Sequence, residues 1–213
     1  MLKKNIIFDF DGVIINSHKI KTKAFFEIFK SYGKKVANNS KKFHEKNIGK
    51  SRYYKFDFVF KNFLNKKIKK SEIRKLDRNF ENFVQNKIER LKPSKNLLSF
   101  FERNKNTYNF YILTGTPQNK IKKILHKKKL IKYFKKIYGG PKSKVNHIKN
   151  IKKTKLKTLF IGDSYEDYLA SKKTNIIFIL KLNSENLIFR NRLKVKKINS
   201  FKYIEKIVDN LFV

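Results

Sequence analysis

Asn5-Ile6-Ile7-Phe8-Asp9-Phe10-Asp11-Gly12-Val13 is the stretch on which the reading of this chain turns. An apolar run stops at two aspartates and a glycine, the pattern of a buried strand that enters a tight loop. The same junction recurs downstream. Tyr108 to Leu113 runs into Thr114-Gly115-Thr116-Pro117, Lys136 to Tyr138 into Gly139-Gly140-Pro141, and Thr158 to Ile161 into Gly162-Asp163-Ser164. A last apolar run covers Ile176 to Leu180. Between these runs lie helical patterns: from Pro117 to about Lys129, over 143–153, and after Ser164. Strands alternating with helices predict an α/β domain, a parallel sheet with helices on its faces.

Residues 18–91 read differently. Ile20, Ala24, Phe25, Ile28, Phe29 and Tyr32 recur at helical spacing, with Gly33 as a stop. The polar stretch from Lys34 to Lys50 reads as a loop, and Phe56 to Leu64 as a helix. Ser71 is placed to cap a further helix carrying Ile73, Leu76, Phe80, Phe83, Val84 and Ile88, which ends before Pro93. The predicted organisation is therefore an α/β domain from 1–16 and 93–213, interrupted by a helical insert at 17–92.

Composition narrows the function classes. The formal net charge is +38, from 54 basic and 16 acidic residues. A surface this basic attracts nucleic acid or anionic lipid without a dedicated site. Yet 47 of the basic residues are Lys and only 7 are Arg, whereas surfaces that read bases or fork phosphates favour Arg. Lys, Asn, Ile and Phe, all abundant here, share AT-rich codons, so nucleotide bias accounts for the charge and no specific nucleic-acid partner is expected. The absence of cysteine removes disulfides, thiolate metal sites and a cysteine nucleophile. No apolar run approaches the ~18 residues of a membrane span. Met1-Leu2-Lys3-Lys4 superficially resembles the start of a signal peptide, but Asp9 and Asp11 interrupt the apolar stretch, and the expected location is cytoplasmic.

Acidic residues are few enough for their placement to matter. Of the 7 aspartates, Asp9, Asp11, Asp163 and Asp167 lie in or just after two of the strand-end loops, and Gly12, Gly115, Gly139, Gly140 and Gly162 fall in such segments too. Turn chemistry explains any one of these loops. It does not explain the repeated order, and the carboxyl ends of parallel strands are where α/β sheets bind ligands. The four histidines (His18, His44, His126, His147) show no paired spacing for zinc, and there is no serine nucleophile elbow.

Taken together, the segments resemble the four motifs of the haloacid dehalogenase (HAD) superfamily, in the phosphatase branch of phosphoglycolate phosphatase and β-phosphoglucomutase. The motifs stand here as Asp9-Phe10-Asp11-Gly12-Val13, Leu113-Thr114-Gly115, a lysine at 142 or 144, and Gly162-Asp163-Ser164-Tyr165-Glu166-Asp167. The resemblance spans residue 5 to about 180 and implies a Rossmann-like core with an inserted all-helical cap. It further implies a Mg²⁺-dependent hydrolase of a small phosphorylated metabolite, with Asp9 as covalent nucleophile. A carboxylate attacking phosphorus needs its charge repulsion screened, which a hard cation with oxygen ligands does. Asp9 and Asp163 are the expected side-chain ligands, with the backbone carbonyl of Asp11. The Asp11 side chain is expected to protonate the leaving alcohol and then activate water; family members that dehalogenate lack an aspartate there.

Thr114 is expected to donate to the phosphoryl oxygens, with Gly115 beside the substrate. Both Lys142 and Lys144 fit the third motif, and the similarity of Gly-Gly-Pro-Lys-Ser-Lys to the Gly-Ser-Pro-x-x-Lys segment of some family members implies Lys144 as the phosphate-contacting lysine. Asp167 either binds the metal or orients that lysine. In the cap, Gly49 to Phe56 resembles a segment of some relatives, from which Arg52 or Lys55 would reach a substrate anion. Asn16 stands where the family usually has an acid. A phosphomutase like β-phosphoglucomutase shares all four motifs, and a basic nucleic-acid-binding protein with a vestigial site is the reading from another class.

Overall fold

The structure, a computed structural model, describes residues 3–212. Strand β1 (Lys4–Phe8) comes first, followed by four helices: α1 (His18–Phe29), α2 (Lys34–Lys46), α3 (Arg52–Phe63) and α4 (Lys70–Arg90). The chain then alternates: α5 (Leu97–Asn104), β2 (Tyr108–Pro117), α6 (Gln118–Lys127), β3 (Phe134–Gly140), α7 (Lys144–Lys152) and β4 (Thr158–Gly162). It closes with α8 (Tyr165–Thr174), β5 (Ile177–Lys181), a single turn α9 (Leu187–Arg190), β6 (Lys196–Ile198) and α10 (Ile204–Leu211). Two compact units result, Met1–Asn16 with Lys92–Val213, and Ser17–Leu91.

The first unit is a six-stranded sheet in the order β3-β2-β1-β4-β5-β6, every neighbouring pair parallel. Ile6, Ile7 and Phe8 of β1 and Leu159, Phe160 and Ile161 of β4 have no exposed surface. Strands covered on both faces read as unbroken apolar runs, which is why these segments lack alternation. Phe8, Phe101 and Phe110 form an edge-to-face and tilted cluster at centroid separations of 5.0 to 5.9 Å; burying each such ring is worth about 1.5–3 kcal/mol. The strand order reverses at β1, whose neighbours are β2 and β4. A crevice at the carboxyl end of β1 is the topological consequence.

The helical unit packs through phenylalanine. Leu76, Phe80, Val84 and Ile88 form the buried stripe of α4, and Phe25 meets Phe80 edge-on at 5.4 Å. Three local expectations are corrected. The stretch from Lys34 is helical to Lys46 rather than a loop. Its buried face is Ala37, Ser40 and His44, small and polar residues that give no apolar periodicity. Ser40 is satisfied by donating to the carbonyls of Phe25 and Ala37 at 3.0 and 2.8 Å, and His44 stacks on Phe25 at 4.3 Å. Next, α4 begins at Lys70, so Ser71 lies inside its first turn; the backbone N–H of Lys69 donates to Glu72 Oε2 at 3.0 Å. Third, β2 continues through Thr114-Gly115-Thr116 to Pro117, with a register shift against β3 between Leu113 and Pro117.

Candidate active site

Asp9 follows directly on β1, its backbone N–H donating to the carbonyl of Ile161 at 2.9 Å, so the parallel pairing carries the residue to the carboxyl end of the sheet. Its side chain is buried, and Oδ1 accepts the N–H of Phe10 at 2.7 Å. The chain then folds back, with Gly12 N–H donating to the Ile15 carbonyl at 2.7 Å and Ile14 N–H to that of Phe10 at 2.9 Å. Ser94 pins this loop through its hydroxyl to the Val13 carbonyl at 2.6 Å and its N–H to the Ile14 carbonyl at 2.7 Å.

On the other side of the switch point, β4 delivers Asp163 and α8 delivers Asp167. Ser164 and Asp167 form a capping box: the Ser164 hydroxyl and N–H donate to Asp167 Oδ2 at 2.6 and 3.1 Å, and Asp167 N–H donates to Ser164 Oγ at 3.2 Å. Gly162 makes room for it, since a Cβ there would lie 2.5 Å from the Asp167 Cβ and 2.7 Å from its Cγ. The other oxygen of Asp167, Oδ1, accepts a hydrogen bond from Lys144. Ser143 caps α7 by accepting the N–H of Asn146 at 3.3 Å, which puts Lys144 in the first turn. A cation is ill placed there on dipole grounds, and carboxylates hold it: the Lys144 ammonium pairs with Asp167 and lies 3.3 Å from Asp9 Oδ2. Lys142 is exposed.

Asp9, Asp163 and Asp167 thus offer carboxylate oxygens all within 4.8 Å of one another, each buried. Burial holds the Asp9 carboxyl well above its ordinary pKa; Lys144 opposes this, while Asp167, Asp163 and Asp11 add to it. Burial works against the charge of Lys144 as well, but Asp167 and then Asp9 outweigh it and raise that ammonium above its ordinary value. Three buried carboxylates facing the largely buried ammonium of Lys144 are electrostatically incomplete. A further cation relieves that, and the donor set, all hard oxygen, suits Mg²⁺. Asp163 Oδ1 is buried and receives no hydrogen bond, as a metal-directed oxygen would be. Asp167 differs, with both oxygens engaged.

Thr114, 2% exposed, accepts the N–H of Thr116 on its hydroxyl oxygen at 3.1 Å, which leaves the hydroxyl proton for another acceptor. Gly115 lies against β3: a Cβ on Gly140 would come within 2.9 Å of its carbonyl oxygen. Asp11 accepts from the Thr116 hydroxyl on Oδ2 at 3.1 Å. Sequence reasoning passed over Thr116, along with Asn183 and Asn186, which bond Asp163 from beyond β5 at 2.6 and 3.1 Å. The Thr-x-Thr spacing was visible as a signal for the first; nothing local marks the asparagines.

Arg52 has partners other than the substrate anion expected for it. Its guanidinium bonds Asp77 at 3.2 Å and Glu81, and lies 4.4 Å from the Phe80 ring, all inside the helical unit. The alternative, Lys55, is buried with its ammonium 3.0 Å from His44 Nδ1. One of them is expected from sequence to reach a substrate anion, because spacing on α3 gives no hint of the acids on α4 or of His44 on α2.

A parallel α/β unit with carboxylates at the ends of β1 and β4 and a lysine between them defines a class of hydrolase. The chain belongs to the haloacid dehalogenase-like hydrolases, whose family model matches residues 6–181. No curated protein matches it. Among solved structures it is similar to β-phosphoglucomutase from Clostridium difficile, with 19% identity over 99% of both chains and a TM-score of 0.74. It is also similar to a predicted phosphoglycolate phosphatase from Haemophilus somnus, with 19% identity over 97% of this chain and 98% of that one and a TM-score of 0.73. The magnesium-bound HAD-hydrolase YfnB of Bacillus subtilis aligns with 14% identity over 98% and 100% of the two chains, at a TM-score of 0.66. Among the described residues no helix is long and apolar enough to cross a membrane.

Proposed function

We propose that this chain is a magnesium-dependent phosphatase of a small phosphorylated metabolite, working through an aspartyl-phosphate on Asp9. The observation that carries the reading is the buried cluster of Asp9, Asp163 and Asp167 within 4.8 Å, with the Lys144 ammonium 3.3 Å from Asp9. In this reading Asp9 and Asp163 hold Mg²⁺ with the Asp11 carbonyl, and Asp167 orients Lys144. When bound, the ion screens the carboxylate from the phosphate. YfnB, similar in fold, was solved with magnesium.

The chain's own residues supply the rest. A carboxylate oxygen of Asp9 bonds to phosphorus as the ester P–O bond breaks, and the leaving oxygen takes its proton from Asp11. Asp11 then accepts a proton from water, whose oxygen attacks the phosphorus and releases Asp9 and inorganic phosphate. Thr116, bonded to Asp11 Oδ2, fixes that carboxyl between the two proton transfers. Lys144 and the Thr114 hydroxyl steady the charge on the transferring oxygens.

The test is release of free phosphate from p-nitrophenyl phosphate with and without Mg²⁺. Turnover is expected to need Mg²⁺, to stop on EDTA and to vanish in Asp9→Asn. Turnover that survives either treatment overturns the mechanism. A screen of phosphorylated sugars, glycolate and nucleotides then reads the substrate class.

A further inference from the structure

Two asparagines bracket Asp163 from the far side of β5. There the chain makes a short 3-10 turn, Ser184–Asn186. The side-chain oxygen of Asn183 caps it, accepting the backbone N–H of Glu185 at 3.0 Å and of Asn186 at 3.1 Å. Those two backbone donors decide which end of the amide is oxygen, so Nδ2 must face the other way, and it donates to Asp163 Oδ2 at 2.6 Å. Asn186, 1% exposed, locks the turn in place: Nδ2 donates to the carbonyls of Asp163 at 3.1 Å and Lys181 at 2.7 Å, and Oδ1 accepts Asn183 N–H at 3.2 Å. The result is asymmetric. One oxygen of Asp163 receives an amide N–H, and the other is buried and receives none.

We propose that Asn183, braced by Asn186, is a positioning residue that occupies Oδ2 of Asp163 and so presents Oδ1 to the divalent cation. This rests on the magnesium reading above. Carboxylate ligands that are themselves hydrogen-bonded are held in one rotamer, and losing such an outer partner typically costs roughly 10- to 100-fold in metal affinity. A purely structural Asn183 would act only through the turn it caps, and the two roles separate chemically. Serine and threonine also cap, but their shorter side chains do not reach Asp163.

The experiment is calorimetric titration of Mg²⁺ into the full metal-free chain without substrate, for the parent, Asn183→Ser, Asn183→Thr and Asp163→Asn. Both position-183 variants are expected to keep the parent's thermal unfolding temperature and to bind Mg²⁺ roughly 10- to 100-fold more weakly. In turnover, half-saturating Mg²⁺ rises by the same factor, while kcat at saturating Mg²⁺ stays close to the parent's. If Asp163→Asn abolishes uptake but both position-183 variants bind like the parent, the inference is wrong and the magnesium reading stands. If the parent takes up no Mg²⁺, or binds it no better than Asp163→Asn, both fall together.

Discussion

The two units handle buried charge in opposite ways. The α/β unit gathers Asp9, Asp163 and Asp167 around one ammonium, Lys144, leaving an excess of negative charge at the end of the sheet. The helical unit buries cations instead: Arg52 against Asp77 and Glu81, and Lys55 against a histidine. In a chain of formal charge +38, this buried acidic cluster therefore has the sign opposite to the whole molecule. Net charge governs what the surface attracts; it says nothing about a site that burial has withdrawn from solvent screening.

The contrast is sharpest if the two buried cations are removed in turn. Lys144→Met is expected to lower kcat roughly 10²- to 10³-fold, the usual cost of losing one positioned donor to a developing charge. Arg52→Met is expected to leave turnover at low temperature intact, because the Arg52 carboxylate partners lie within its own unit. It takes the guanidinium away from Asp77 and Glu81, 25% and 13% exposed, at a cost of about 3 kcal/mol, visible as a lower thermal midpoint. Equal loss of turnover in the two variants would abolish the distinction.

A third variant tests the excess negative charge itself. The folded pKa of Asp9 is raised by burial above its unfolded value. Below the unfolded pKa of ~3.9 the group is protonated in both states and costs nothing. As pH rises through the folded pKa its contribution to stability is lost. Asp9→Asn should therefore melt higher than the parent at neutral pH without metal, each ~1 kcal/mol showing as roughly 2–4 °C, and the gap should close on acidification or on adding Mg²⁺. No gap in thermal scans at pH 7 would mean that the cluster is not strained.

The smallest effect belongs to the helical unit. Burial, then Lys55, His18 and Lys21, hold the His44 pKa well below 6.5. The Lys55 ammonium can only donate, so Nδ1 must accept its proton and Nε2 must carry one; that buried Nε2 makes no hydrogen bond. A depressed pKa contributes stability above the unfolded value that is lost as pH falls toward the folded one. The unit should weaken progressively below about pH 6.5, and His44→Phe should flatten that slope in denaturant titrations between pH 7 and 5.

How much of this was legible in the sequence follows from range. Asp9 and Asp163 directly follow apolar strands, Thr114 follows the apolar run within β2, and Lys144 opens a helix, so local sequence pattern marks them. The helix at Lys34–Lys46 was not legible, because Ser40 and His44 bury through hydrogen bonds and stacking that supply no apolar period. The ion pairs of Arg52 were not legible because its acids lie 25 and 29 residues away on another helix. Asn183 and Asn186 were invisible for the same reason, at 20 and 23 residues from Asp163.

What the sequence by itself determined was the alternation of elements and the residue types at each strand end, because backbone geometry and burial impose short-range patterns. Only the tertiary structure decided which carboxylates share a cation-sized space, that Lys144 rather than Lys142 lies beside Asp9, and which oxygen of Asp163 takes the amide N–H of Asn183. Those depend on parallel register across β1 and β4 and on side chains meeting over gaps that no local pattern encodes.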